Sequence, residues 1–171
     1  MTSAAIDMQY DLTPDQIDFR DMIRQMTVER VAPRAAEIDA KAEYPRDLRA
    51  LFSELDLFGM CIPEEYGGLG TGTLMTNIAI EEVAKACASS ALMLAVHDLG
   101  TLPVRLFGSD ELKERFLPRC ATGEWTAAFA LSEPDAGSDP GGMRTTAVQD
   151  GDEWVINGTK AFITISGTDI T

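Results

Sequence analysis

The residues best suited to chemistry lie in one stretch, Phe129-Ala-Leu-Ser-Glu-Pro-Asp-Ala-Gly-Ser-Asp139. Two hydroxyls, Ser132 and Ser138, stand at either end of a turn that contains Gly137, and Gly141 and Gly142 follow. Glycines let a ligand come close to backbone N–H groups, and such a loop suits anionic, oxygen-rich ligands such as phosphates. The same composition also describes a plain polar loop between strands. A second stretch, Thr159 to Ser166, reads as a strand with Phe162 and Thr164 on one face and Ile163 and Ile165 on the other. An aromatic beside a hydroxyl suits a flat heteroaromatic ring, the one packing and the other hydrogen-bonding a ring heteroatom. By pattern alone such a pair more often marks a partly buried β face.

Other reactive types point elsewhere. His97 is the one histidine, and its apolar helical neighbours Leu94, Val96 and Leu99 favour a structural role over a catalytic base. Glu64-Glu65 and Glu81-Glu82 are adjacent pairs. On a helix neighbours diverge by about 100°, so neither pair converges, and solvated faces are expected. Cys61, Cys87 and Cys120 are odd in number and scattered, without Cys-x-x-Cys spacing or a Cys/His cluster. Buried free thiols in a reducing compartment follow, without a disulfide framework or a metal site.

The elements that must position these residues fall into two kinds. Thr13-Pro14-Asp15-Gln16 starts a helix, with Thr13 as cap, Pro14 in the first turn and Gln16 completing a capping box. Its stripe is Ile17, Met22, Ile23, Met26, Ala35 and Ile38, the methionines as core, and Pro33 should kink or split it near Val31. Asp47 to Phe58 is a second helix with Leu48, Leu51, Phe52 and Leu55 on one face, ended by Gly59. After a turn-rich link from Pro63 to Gly72, Thr73 to Ser89 is a third. Ser90 to Phe107 is apolar and helical, with a break or bend near Gly100 and Pro103. Ser109 caps a last helix through Cys120, with Leu112, Phe116 and Leu117 inside. From Glu124 on, Thr, Gly, aromatic and β-branched residues take over. Strands are predicted over Trp125 to Ser132, Thr145 to Gln149, Glu153 to Ile156 and Thr159 to Ser166, with turns at Asp150-Gly151 and Asn157-Gly158. The fold class is therefore α+β: an all-α helical domain over 1–123, then the start of an antiparallel β domain over 124–171. So small a sheet leaves open edges and reads as an incomplete domain.

Composition sets limits on partners. The chain has 171 residues, 45% of them hydrophobic and 25% charged, and a formal net charge of −14. Without a basic run, nucleic acid and anionic lipid are not expected as partners. No apolar run reaches membrane-spanning length, and no signal or transit pattern precedes Asp11. The expected location is the cytoplasm.

The order of these residues resembles the acyl-CoA dehydrogenase family. Phe129 to Asp139 is similar to the flavin-binding signature that opens the family's middle β-barrel domain. Asn157-Gly-Thr-Lys-Ala-Phe-Ile-Thr164 matches a second segment at the usual distance. Ile62-Pro-Glu-Glu-Tyr-Gly-Gly68 and Phe107-Gly-Ser-Asp-Glu-Leu-Lys-Glu-Arg-Phe-Leu-Pro118 resemble its N-terminal landmarks. The resemblance covers nearly all of the chain after about Leu12, and implies a truncated antiparallel barrel of this type.

The resemblance implies FAD as cofactor, held by Phe129, Leu131, Ser132, Gly137, Ser138, Phe162, Ile163 and Thr164. Ser132 would bond the pyrimidine edge, and Thr164 would lie near the hydride-accepting nitrogen. Ser138 would sit where the FAD pyrophosphate and the acyl-CoA meet. Leu92, Ala95, Val96 and Leu99 are implied acyl contacts, with core packing the alternative. Family members often carry Trp at the position of Phe162 and Asn at that of Ile165. The implied reaction is α,β-dehydrogenation of an acyl-CoA in fatty acid or lipid metabolism, with an electron-transfer flavoprotein-type acceptor and an oligomeric enzyme. Its carboxylate base belongs to a C-terminal helical domain, so no residue here takes that role. Two other readings stay open: a non-catalytic half-site subunit of a heteromeric flavoprotein, and an acyl-CoA oxidase or flavin monooxygenase relative.

Overall fold

Thr13 begins the first helix through a reciprocal cap: its Oγ1 accepts from Gln16 N at 3.3 Å, and Gln16 Oε1 accepts from Thr13 N at 2.9 Å. The computed structural model describes residues 11–165 and 167. Among them the helices are α1 (Pro14–Met26), α2 (Ala32–Lys41), α3 (Arg46–Glu54), α4 (Gly72–Ala84), α5 (Ala88–Phe107) and α6 (Asp110–Ala121). The strands are β1 (Thr146–Asp150) and β2 (Glu153–Asn157).

As Pro33 predicts, the α-helix is split near Val31, though the helical path continues. A π-helical turn, Thr27–Val31, joins α1 to α2, and Ala32 N donates to Thr27 O. The wider turn makes room for a ring that would otherwise meet the carbonyl one turn back. Ile23, Val31 and Ile38 point inward, each under 7% exposed, and meet Leu48, Phe52, Phe58, Met60, Ala79, Val83, Met93 and Leu94 in one core. A second cluster of Ile62, Leu117, Cys120 and Ala121 packs with Val104 and Trp125 where α5 and α6 approach the β region.

Several expected details differ. The second helix ends at Glu54, because Asp56 turns left-handed (φ 55°) before the short turn Leu57–Gly59. Leu55 is therefore exposed, as are Ile17, Met22 and Leu112. The third helix ends at Ala84, and α5 runs unbroken through Gly100 and Pro103. Near Pro103, Thr101 Oγ1 and Arg105 Nη2 each donate to Asp98 O at 3.0 Å and bind this turn from its side chains. Glu82 is not solvated. Its side chain is 3% exposed and is held by Arg24 of α1 at 3.0 Å and Lys85 at 2.7 Å. Arg24 above all keeps its carboxyl below the usual value, against the opposing effect of burial. None of the three cysteines is in a disulfide, but Cys61 is only half-buried.

In the β region only one hairpin forms among the described residues. It is antiparallel, with Val148 opposite Val155 and Asp150 opposite Glu153, and Gly151 (φ 61°) makes the turn. Trp125 to Ser132 forms no strand. Its burial does not alternate either: Thr126, Ala127 and Ala128 are buried in succession against the helices. Residues 159–165 also form no strand, and the expected end at Ser166 lies outside the described residues. Phe162 (φ 56°) and Ile165 (φ 53°) are left-handed, which breaks the period-two alternation.

Candidate functional site

Helix α5 seats the segment that follows Trp125. Gly100 lets the two meet: a Cβ there would stand 2.8 Å from Ala127 Cβ and 2.9 Å from Ala128 O. One turn earlier, His97 Nδ1 accepts from Ala127 N at 3.2 Å. The imidazole is 1% exposed and packs edge-on to Phe58, with ring centroids 5.0 Å apart. Burial pushes its pKa from 6.5 down to about 4, partly offset by the Cys120 backbone, while Arg105 and Arg49 push the same way as burial. A neutral ring with its proton on Nε2 is a structural fastener, in line with the structural role its apolar neighbourhood predicts.

Upstream of that point the chain is tied down further. Arg49 Nη2 donates to Gly123 O at 3.0 Å and Glu124 O at 2.9 Å, and Ser53 Oγ donates to Thr122 O. The Arg119 guanidinium lies over the Trp125 ring, 4.4 Å from its centroid.

Two of the sequence-selected segments come together. Ala161 N donates to Ser132 O at 2.8 Å. Lys160 Nζ donates to Leu131 O at 2.9 Å and to Glu133 Oε1 at 3.0 Å. The Glu133 carboxylate also takes Arg144 N at 2.6 Å and Thr145 N at 3.0 Å. The Arg144 N–H above all, then Thr145 and Lys160, draw this carboxyl from 4.5 down to about 2. Gly158 fits closely here, since a Cβ would stand 2.1 Å from Thr145 Oγ1.

Phe129, Ser132, Ile163 and Thr164 are half-buried, and Leu131 is 39% exposed. Gly137 and Ser138 are exposed on the loop, with nothing within 4 Å of where a Gly137 Cβ would be. Asp139 shapes the loop by accepting from Gly141 N at 3.0 Å. Phe162 stands 95% exposed, so it does not share a face with half-buried Thr164. On α5, Leu92, Ala95, Val96 and Leu99 follow i, i+3, i+4, i+7 spacing along one face. Leu92 (45%) and Leu99 (42%) are exposed, whereas Met93, Leu94 and His97 fill the core.

Sequence reasoning passed over Glu133 and Lys160 as functional residues. Their signal was present as opposite charges in the two motif segments, with a separation of 27 residues. Among the described residues, no cluster of His, Cys, Asp and Glu suits a metal, and no helix is long and apolar enough to cross a membrane.

Two family models match the chain: the acyl-CoA dehydrogenase N-terminal domain over residues 13–124 and the acyl-CoA dehydrogenase middle domain over 128–169. A relative from Mycobacterium tuberculosis, the probable acyl-CoA dehydrogenase FadE25, is 43% identical over 158 residues, which is 92% of this chain and 41% of the relative. Among solved structures, an acyl-CoA dehydrogenase complexed with FAD from Bacillus anthracis superposes with TM-score 0.83 at 34% identity, covering 94% of this chain and 28% of that one. A glutaryl-coenzyme A dehydrogenase in complex with glutaryl-CoA gives TM-score 0.85 at 33% identity, covering 91% and 40%. The chain thus spans about two fifths of the length of the curated relative.

Proposed function

Because the chain belongs to the acyl-CoA dehydrogenase family, we infer that it is an N-terminal portion of an FAD-dependent enzyme that oxidises the α,β bond of an acyl-CoA thioester. The observation that carries this reading is the junction of Leu131 and Ser132 with Lys160 and Ala161. It joins the two motif segments to which the family resemblance assigns the flavin.

The residues present fit FAD by the chemistry of their donors. Ser132, Ser138 and Thr164 offer neutral hydroxyls. The open space beside Gly137 leaves room for a diphosphate to reach backbone N–H groups. Phe129, Leu131, Phe162 and Ile163 offer apolar contact to a flat ring. FAD, when bound, supplies the acceptor for the substrate's β-hydride. The chain's own residues bind and orient: Ser132 and Thr164 at the ring edge, Ser138 at the phosphates, and Leu92, Ala95, Val96 and Leu99 along the acyl chain, where they exclude water. Holding these parts together is first an orientation problem. Glu133, the carboxylate beside Ser132, has both oxygens occupied by Arg144, Thr145 and Lys160 and does not serve as the base. In this reading the base comes from outside these residues.

The boundary between the helical and β parts falls at 123/124. Electrons pass to an acceptor of the electron-transfer flavoprotein type, and the enzyme is a cytoplasmic oligomer of fatty acid or lipid metabolism. The test is to express residues 1–171, measure flavin content after gel filtration, and assay acyl-CoA-dependent dye reduction. We expect FAD to bind weakly enough to be lost on gel filtration, and no turnover, since loss of a positioned base alone lowers rates by about 10²–10⁴. A stable yellow monomer that turns over would place a base within these residues. Flavin that is retained and reoxidised with oxygen uptake would point to an oxidase.

A further inference from the structure

We propose that Glu133 and Lys160 are the positioning pair of the flavin-facing segments, a role that rests on the flavin reading above. Neither residue touches reacting atoms; both act through Leu131 and Ser132. In a regular strand, successive carbonyls point to opposite sides and are met by neighbouring strands. Here the Lys160 ammonium takes the Leu131 carbonyl and the next backbone N–H, Ala161, takes that of Ser132. One dipeptide therefore replaces a ladder that is absent from both segments among the described residues.

The pair is built for this. Lys160 has three protons, and three partners receive them: Leu131 O at 2.9 Å, Glu133 Oε1 at 3.0 Å and Met143 Sδ at 3.3 Å. Its side chain is 22% exposed and that of Glu133 is 6% exposed. Glu133 in turn fixes where the chain leaves the glycine loop, through Arg144 N and Thr145 N. The same carboxylate thus ties three segments of backbone: the end of the Phe129–Ser132 segment, the approach to β1 and the segment that carries Phe162 and Thr164. Removing one charge leaves its low-exposure partner uncompensated, which costs more than the pair itself contributes. The expected result is loss of spacing between the segments, while the separately packed helices stay folded.

The test uses residues 1–171 followed by NMR, with amide exchange and response to millimolar FAD as readouts. Glu133→Gln and Lys160→Met should speed exchange at Arg144, Thr145 and Ala161 by about tenfold or more, leaving Ile23 and other helical amides unchanged. Lys160→Arg, which keeps the charge, should retain most of the protection. FAD should perturb the Ser132 and Phe162 amides of the wild type, and the two charge-removing variants should need about tenfold more FAD for the same response. Wild-type protection in Glu133→Gln and Lys160→Met, or an FAD response that survives loss of the pair, would overturn the proposal and leave the flavin reading intact. No FAD response in the wild type, with the exchange pattern as expected, would fail the flavin reading itself and with it the role of the pair.

Discussion

The helices and the hairpin solve burial in opposite ways. Ile23, Val31, Phe52 and Val83 are fully buried in a core to which α1 through α5 contribute. Every residue of β1 and β2 is exposed, including Val148 (60%), Trp154 (64%) and Ile156 (70%). Alternation places Val148 and Val155 on one face of the hairpin and Trp154 and Ile156 on the other. A two-stranded ribbon with apolar groups on both faces is marginal by itself. The helical part therefore carries its own stability, whereas the β part is held by a few polar contacts and by its seat on α5.

The sharpest way to break this contrast is a pair of truncations. Phe52→Ala should lower global stability by about 3–5 kcal/mol, through lost burial and the cavity left behind. Trp154→Ala, on the hairpin, should change it by no more than about 0.5 kcal/mol. Urea unfolding of residues 1–171 measures both, and similar losses at the two sites would mean that the hairpin shares in the core.

His97 is neutral in the fold, with its pKa lowered from 6.5 to about 4. Between these values the unfolded chain binds the proton that the folded chain refuses, so stability rises with pH. It is fully present above 6.5 and falls by up to about 3 kcal/mol as pH drops to 4. His97→Gln should flatten this part of the profile. An unchanged slope in that variant would assign the acid sensitivity to other groups.

A gain in stability is expected at one position of the β region. Ile165 is β-branched and sits at φ 53°, where a side chain of that shape is disfavoured and Asn is tolerated. Ile165→Asn should relieve about 1 kcal/mol and slow amide exchange at Ala161 by about fivefold. Exchange as fast as in the wild type would mean that the left-handed backbone there carries no strain.

Local chemistry was legible and long-range pairing was not. The caps at Thr13 and Ser109 and the Gly151 turn each depend on residues within three or four positions, and sequence located them. Gly100 read as a helix breaker because its reason, the approach of Ala127, lies across the fold. Glu82 read as solvated because Arg24 is 58 residues away. The alternation over 159–165 predicted a strand, but a strand needs a neighbour's ladder, and here Lys160 and Ala161 bind the carbonyls of Leu131 and Ser132 instead. For the site, the motif residues were visible only as types in order. What joins them, the Glu133–Lys160 pair, was visible as two charges without a partner.

The crossing from α6 to Ala127 also has a mechanical consequence. Over residues 122–127 the chain is bound by Ser53, Arg49, the Arg119 carbonyl and His97, from α3, α5 and α6. Tension applied downstream, by a folding β domain or by a moving partner, reaches these bonds before it reaches the core. Because they arise from several helices and are loaded together, the load is shared in shear instead of peeling one bond at a time. The helical part thus offers several anchors at once, and the seat on α5 continues past Ala127, since Ala128 is buried beside Gly100.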